Sequence, residues 1–241
     1  IKDGKIISSK EPIQENVKMK TQEIDSQYKI KTVVMSNHQA EGFIKASKKS
    51  KNGDKKKKDA FLLQESFASL WVFPDGKYAE EGFKANVNVV DENEFEMKPV
   101  FSRFFENKDG EIDESKGLKT LEYCGCKIHF FIKKELESKG KSFCYLEFVK
   151  NTGTDLLGLL LEKFSIDGKF FKNFTGSSKS VFVKEAGSQK KKIRQSFKKR
   201  PRFAIFTSNT KNSDSILELF NSEENIDGDY LKIIIVSKTA S

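Results

Sequence analysis

No Gly-rich run in this chain ends in Lys followed by Ser or Thr, no acidic pair follows a strand in the manner of a magnesium site, and no Gly-x-Ser-x-Gly elbow occurs. A self-contained hydrolytic centre is therefore not expected. Cysteine is scarce: Cys124 and Cys126 sit in "CGC", Cys144 stands alone, and no second Cys or His pair lies at zinc-ligand spacing. These three are expected as reduced core thiols of an intracellular protein. Long apolar runs are missing too, none approaching the roughly 18 to 20 residues that span a bilayer. No membrane contact is expected, although the first residue is Ile1 rather than Met, so a targeting segment can lie upstream.

What is abundant is charge. The chain has 241 residues with 44 Lys and Arg against 35 Asp and Glu, a formal balance of +9. Such a balance favours nucleic acid or another polyanion as partner; a solvated basic surface that binds nothing is the competing reading. At 37% hydrophobic residues the chain can still build a core.

Residues 1–27 are polar and without a period, and read as a linker or irregular lead-in. "QYKIKTVVMS" reads as a strand ending near Met35, after which Ser36 or Asn37 can cap a helix through "HQAEGFIKASKK". The Lys-rich "KKSKNGDKKKKD" reads as a solvated loop, with phosphate contact as the alternative. Phe67, Trp71, Phe73, Tyr78 and Phe83 either form a local core or a platform on which bases stack, with Pro74, Asp75 and Gly76 making a turn between them. "LKTLEYCGCKIHFFIKKELESKG" predicts one amphipathic helix from Leu118 to Leu136, stopped at Gly140. His129 within it has no partner at ligand spacing and reads as structural.

From Lys141 on, strand and helix alternate: "KSFCYLEFV", "NTGTDLLGLLLEKF" capped near Asn151 or Thr152, "RFAIFTS", "NSDSILELFNS", and the β-branched run "LKIIIV". Alternation of this kind implies crossovers and a mostly parallel sheet. The fold class expected is α/β: a helical region followed by a parallel sheet with helices on both faces. Its strands would deliver Phe148 to Thr154, Thr207 to Thr210 and Ser237 to Ser241 to one edge, as small hydroxyl side chains and free N–H groups able to hold phosphate oxygens. The basic stretch from Lys179 to Arg202 is too long for an ordinary connection of about 2 to 6 residues. It is expected to be mobile, dispensable for folding, and able to reach phosphates.

"GKSFCYLEFVKNTGTDLLGLLLE", "RFAIFTSNT" and "ILELFNSEENIDGDYLKIIIVSKTAS" resemble motif IV, a following strand and the opening of motif V in the second RecA-like domain of superfamily 2 helicases. The resemblance is to the poxvirus and giant-virus type, whose relatives include the small subunit of the poxvirus early transcription factor. "VVMSNHQAEGF" and "FASLWVFPDGKYAEEGF" resemble segments that precede this domain in the viral group. Departures are "LEF" in place of small polar residues of motif IV, and Ser208 where Gly is common.

The resemblance implies a fragment of an NTP-hydrolysing translocase: a lead-in at 1–27, a mainly helical inter-domain region at 28–140, and a truncated RecA-like sheet at 141–241 cut at motif V. It implies nucleic-acid contacts from Phe148, Thr154 and Thr207, from Ser237, Lys238 and Thr239 of motif V, and from the basic residues Lys191, Lys198, Lys199 and Arg200. ATP and Mg would belong to the full-length parent, with none bound by this fragment alone. Implied partners are a DNA or RNA backbone, the missing first RecA-like domain and viral transcription machinery, in the host cytoplasm or the virion. The reading from another class is a non-catalytic basic module that binds nucleic acid.

Overall fold

Val34–Ser241 forms one compact unit. The computed structural model describes residues 30–51, 58–91, 94–148, 152–176, 181–184, 191–207 and 210–237. Residues 1–29, most of the Lys-rich loop, Lys238 and Thr239 lie outside the described residues. Residues 30–33 form neither helix nor strand, so the strand expected to end near Met35 is absent from its described part.

The first helix, α1 (Asn37–Lys51), is capped as its sequence predicts: Ser36 Oγ accepts the Gln39 N–H at 3.0 Å and donates to the Tyr123 carbonyl at 2.6 Å. Helix α2 (Lys58–Leu70) packs along it and runs into Trp71–Phe73, where Gly76 at φ 78° closes the Pro-Asp-Gly turn and its N–H reaches the Phe73 carbonyl at 2.8 Å. Helix α3 (Ala79–Asn86) leads into the antiparallel hairpin β1 (Val87–Asp91) and β2 (Glu94–Met97), followed by a single turn, α4 (Pro99–Ser102). Trp71, Phe73, Phe101 and Phe105 then meet edge to face, with ring centroids 5.3 to 6.3 Å apart. Of the five aromatic residues read as core or stacking platform, Trp71, Phe73, Tyr78 and Phe83 are buried and so belong to the core, while Phe67 is half-buried.

The single helix expected from Leu118 to Leu136 is two: α5 (Glu114–Cys124) and α6 (Cys126–Glu137). They part at Gly125, whose φ −162° and ψ 88° leave the helical region, and the residue must be glycine because a Cβ there would stand 2.5 Å from Trp71 Cε3 and 2.7 Å from the Leu70 carbonyl oxygen. The cut ends are satisfied from elsewhere. The Val72 N–H donates to the Cys124 carbonyl at 2.9 Å, and the Cys126 N–H donates to Gln39 Oε1 at 3.0 Å. Gln39 is fully buried, and its amide nitrogen donates to the Ser69 carbonyl at 3.0 Å. One side chain thus ties α1 to the end of α2 and the start of α6.

Beyond α6 lie β3 (Ser142–Leu146), α7 (Thr154–Leu161), the short strands β4 (Ser165–Ile166), β5 (Lys169–Phe170) and β6 (Lys172–Asn173), and the hairpin β7 (Phe182–Lys184) with β8 (Lys191–Ile193). Strand β9 (Arg202–Phe206), helix α8 (Ser213–Asn221) and strand β10 (Ile233–Ser237) follow among the described residues. The sheet order is β3-β10-β9-β6, and every pairing in it is parallel. Helix α7 starts one residue after its Gly153 cap, later than the cap expected at 151 or 152.

Alternation along the strands splits the sheet into two faces. Ile233, Ile235 and Phe203 pack with α7 and with the aromatic core of residues 71–132, so one core crosses residue 140 without a break. Ile234 and Ala204 pack with Ile216 and Leu219 of α8. Helices on both faces of a parallel sheet are as the sequence implies. The same second core also takes in Val181 and Ile193, while Phe197 stacks on Tyr230 at 6.1 Å and meets Phe174 at 5.8 Å. The stretch 179–202 is expected to be mobile and dispensable for folding; among its described residues Val181 and Ile193 are buried against Ile216 and Leu219 of α8, which follows it in the chain.

Charge is buried beneath the sheet as well. Lys232, almost wholly buried, donates from Nζ to the carbonyls of Ser138 at 2.8 Å and Gly140 at 3.0 Å. Burial draws its pKa down while Glu135 pulls it up; Glu135 in turn is raised by burial, against a 2.8 Å hydrogen bond from Ser142 Oγ.

Candidate functional site

Parallel pairing brings the carboxyl ends of β3, β9 and β10 to one edge of the sheet, with β10 in the middle. Ligands of open α/β sheets gather at such an edge. Helices α7 and α8 both begin there, and neither has a side-chain cap, so two positive dipole ends face the same side. Asp155 and Asp214 in their first turns offset part of that field.

Phe148, Thr154, Thr207 and Ser237 all stand at this edge, but they do not present themselves alike. The Phe148 ring is half-buried against Phe67 of α2, with centroids 4.2 Å apart, and its carbonyl accepts the Thr154 N–H at 3.1 Å. Gly153 is required because the Phe148 carbonyl occupies the place of any Cβ. Thr154 and Ser237 are buried, so their hydroxyls are not displayed as the track expectation requires. After β9, the Thr207 N–H donates to Thr210 Oγ1 at 2.7 Å, the Thr210 N–H returns to the Thr207 carbonyl at 3.0 Å, and Thr210 Oγ1 donates to the Ile205 carbonyl at 3.1 Å. The free N–H groups expected at 207 and 210 are thereby spent inside the loop. Lys238 and Thr239 lie outside the described residues.

The cations are divided between the two edges. Lys191 pairs with Glu218 of α8 at 2.7 Å, and the Ile193 N–H donates to Glu224 at 3.1 Å. Because α8 runs away from the carboxyl edge, the Lys191 end of the hairpin is the end nearer that edge. Lys198, Lys199 and Arg200 precede β9 and so stand at the opposite, amino edge, about 17 Å away along a five-residue strand. Lys199 pairs with Asp229 at 2.5 Å, which holds its pKa up, and Arg200 Nη2 donates to the Phe170 carbonyl at 2.8 Å. Next to them Arg202 lays its guanidinium 4.0 Å from the Phe197 ring, and burial, followed by repulsion from Arg200, brings its pKa down to about 10. The eight described residues among the ten singled out in the sequence are thus divided between the two edges of the sheet. Lys211, exposed beside the start of α8, is a carboxyl-edge cation that the sequence reading passed over; its position between a strand and a helix was the available signal.

The remaining reactive side chains are packed. Burial raises the thiols of Cys124 and Cys144, the latter to about 12 with Glu135 adding to it, and lowers the pKa of His129. All three cysteines are free. Among the described residues no cluster of three or more His, Cys, Asp or Glu could hold a metal ion, and no helix is long and apolar enough to cross a membrane.

No protein-family model matches the chain. It is 27% identical over 216 residues to a protein named "Putative helicase 087L" from Invertebrate iridescent virus 3. The likeness covers 88% of this chain and 18% of that relative, so the chain spans less than a fifth of its length.

Proposed function

We propose that these residues are part of a longer ATP-dependent nucleic-acid helicase or translocase of the superfamily 2 viral type, and that the carboxyl edge of the sheet holds a nucleic-acid backbone. The observation that supports this best is the convergence of three parallel strand ends and two helix N-termini on one edge, in a chain similar along most of its length to a viral protein named as a helicase. Phosphates would be met by Lys211, by the first N–H groups of α8, and by Lys238 and Thr239 as the motif V contact. Phe148 and the Thr207–Thr210 clasp act as positioning residues that hold the edge in shape. ATP and Mg2+ would be bound by parts of the parent outside these residues, including a first RecA-like domain, because no phosphate loop is present here. No hydrolytic step is assigned to this chain. Viral transcription machinery, in the host cytoplasm or virion, is the setting this reading suggests.

The test is equilibrium binding of unrelated single-stranded oligonucleotides across a salt series, with ATP turnover measured on the same samples. Binding indifferent to sequence is expected, with log K falling by about 0.7 per phosphate contact against log salt, and no turnover. Salt-independent binding would count against the backbone track. Nucleic-acid-stimulated ATP hydrolysis by the 241 residues alone would overturn the fragment reading.

A further inference from the structure

We propose that the amino edge of the sheet is a second nucleic-acid contact surface, separate from the carboxyl edge, which engages a different length of the same strand. The inference rests on the reading of the chain as a nucleic-acid-binding fragment, and deepens it. Its ground is the fate of the cations around the starts of β6 and β9.

Lys172 is the register partner of Arg202, and its N–H donates to the Pro201 carbonyl at 3.2 Å. Arg200 is bonded to the Phe170 carbonyl, and Arg202 Nη2 donates to the Lys198 carbonyl at 3.1 Å. These bonds stitch segments 169–172 and 198–202 into one surface. Lys169, Lys172 and Lys198 on it are exposed, and no salt bridge among the described residues engages them, although the Glu162 carboxyl senses the charge of Lys172. Lys199, by contrast, is already matched by Asp229. Phe170, partly exposed, lies between Lys169 and Lys172 in the chain, an aromatic side chain among exposed cations, which is the pairing that tracks a single strand by stacking and charge together.

A site at this edge cannot grip the same phosphates as the carboxyl edge, since a strand length of about 17 Å of sheet lies between them. The two surfaces act in series on one long strand, or separately on two short ones. Linking two weak sites through one ligand raises apparent affinity without any new contact.

The experiment uses the full 241-residue chain with oligo-dT of about 8 nucleotides, within the length of one single-strand site, and of about 40, long enough to reach two. The native chain should take two 8-mers per molecule but one 40-mer. The triple variant Lys169→Gln, Lys172→Gln, Lys198→Gln should take one 8-mer, bind the 40-mer about tenfold more weakly, and lose about 2 from its salt slope, three contacts at roughly 0.7 each. Its thermal midpoint should match the native chain, because all three side chains are exposed. One 8-mer per native chain, or 40-mer binding unchanged in the triple variant, overturns the second surface. Lys211→Gln separates the two readings by salt slope: a loss of about 0.7 supports the carboxyl edge, whereas an unchanged slope beside the loss of one 8-mer in the triple variant leaves the amino edge standing and removes Lys211 from the carboxyl-edge assignment.

Discussion

The two faces of the sheet are built in different ways. One is covered by α7 and by a thick layer of aromatic side chains from residues 71–105, reaching Trp71 and Phe101 well away from the strands. The other is covered by α8 and the basic hairpin, with Ile216, Leu219, Val181 and Ile193 as their buried anchors among the described residues, joined by Phe174 and Leu231, and it leaves Phe143 and Tyr145 of β3 at 65% and 57% exposure. The thick face sets the stability of the unit, and the thin face holds an element whose surface is mostly charge. A segment can therefore be basic, long and still folded, provided a few apolar residues reach a helix.

The sharpest way to test that contrast is to excavate the thick face. Trp71→Ala removes a fully buried side chain that touches Phe73 and Phe101, and should cost about 3–5 kcal/mol by denaturant unfolding. On the thin face, Ile193→Ala should cost about 2 kcal/mol, the low end for such a truncation because a hairpin can settle onto α8. A null effect there would restore the picture of a loose insertion. Gln39→Leu keeps the volume but strands the Cys126 N–H and the Ser69 carbonyl, and should cost about 1–3 kcal/mol. The smallest effect belongs to the uncovered end of the thin face: Phe143→Thr with Tyr145→Thr should shift stability by no more than about 0.5 kcal/mol, since neither ring is buried.

How far the sequence could be read depended on where each cause lies. Strands β3, β9 and β10 and helices α7 and α8 were legible because their own residues carry the period and the apolar runs. The break at Gly125 was not, because the close packing of Trp71 against it comes from more than fifty residues earlier in the chain. The anchoring of the basic stretch was hidden for the same reason, since Ile216 and Leu219 follow it. At the candidate site the parallel edge was legible, whereas the burial of Thr154 and Ser237 and the internal clasp of Thr207 depend on packing that no local pattern records. The separation of Lys198–Arg200 from Thr207 was available in principle: they lie before and after one strand, and a strand has two ends.

Lys232 has a practical consequence for following the molecule in time. Its ammonium group is enclosed at the join between β10 and the turn after α6, and is held there by backbone carbonyls. An amine-reactive label or trypsin can meet it only when that join opens, whereas Lys211 is accessible throughout. Modification at Lys232 set against modification at Lys211 therefore counts excursions of the sheet itself, and under conditions where reclosing is fast it reports the free energy of that opening.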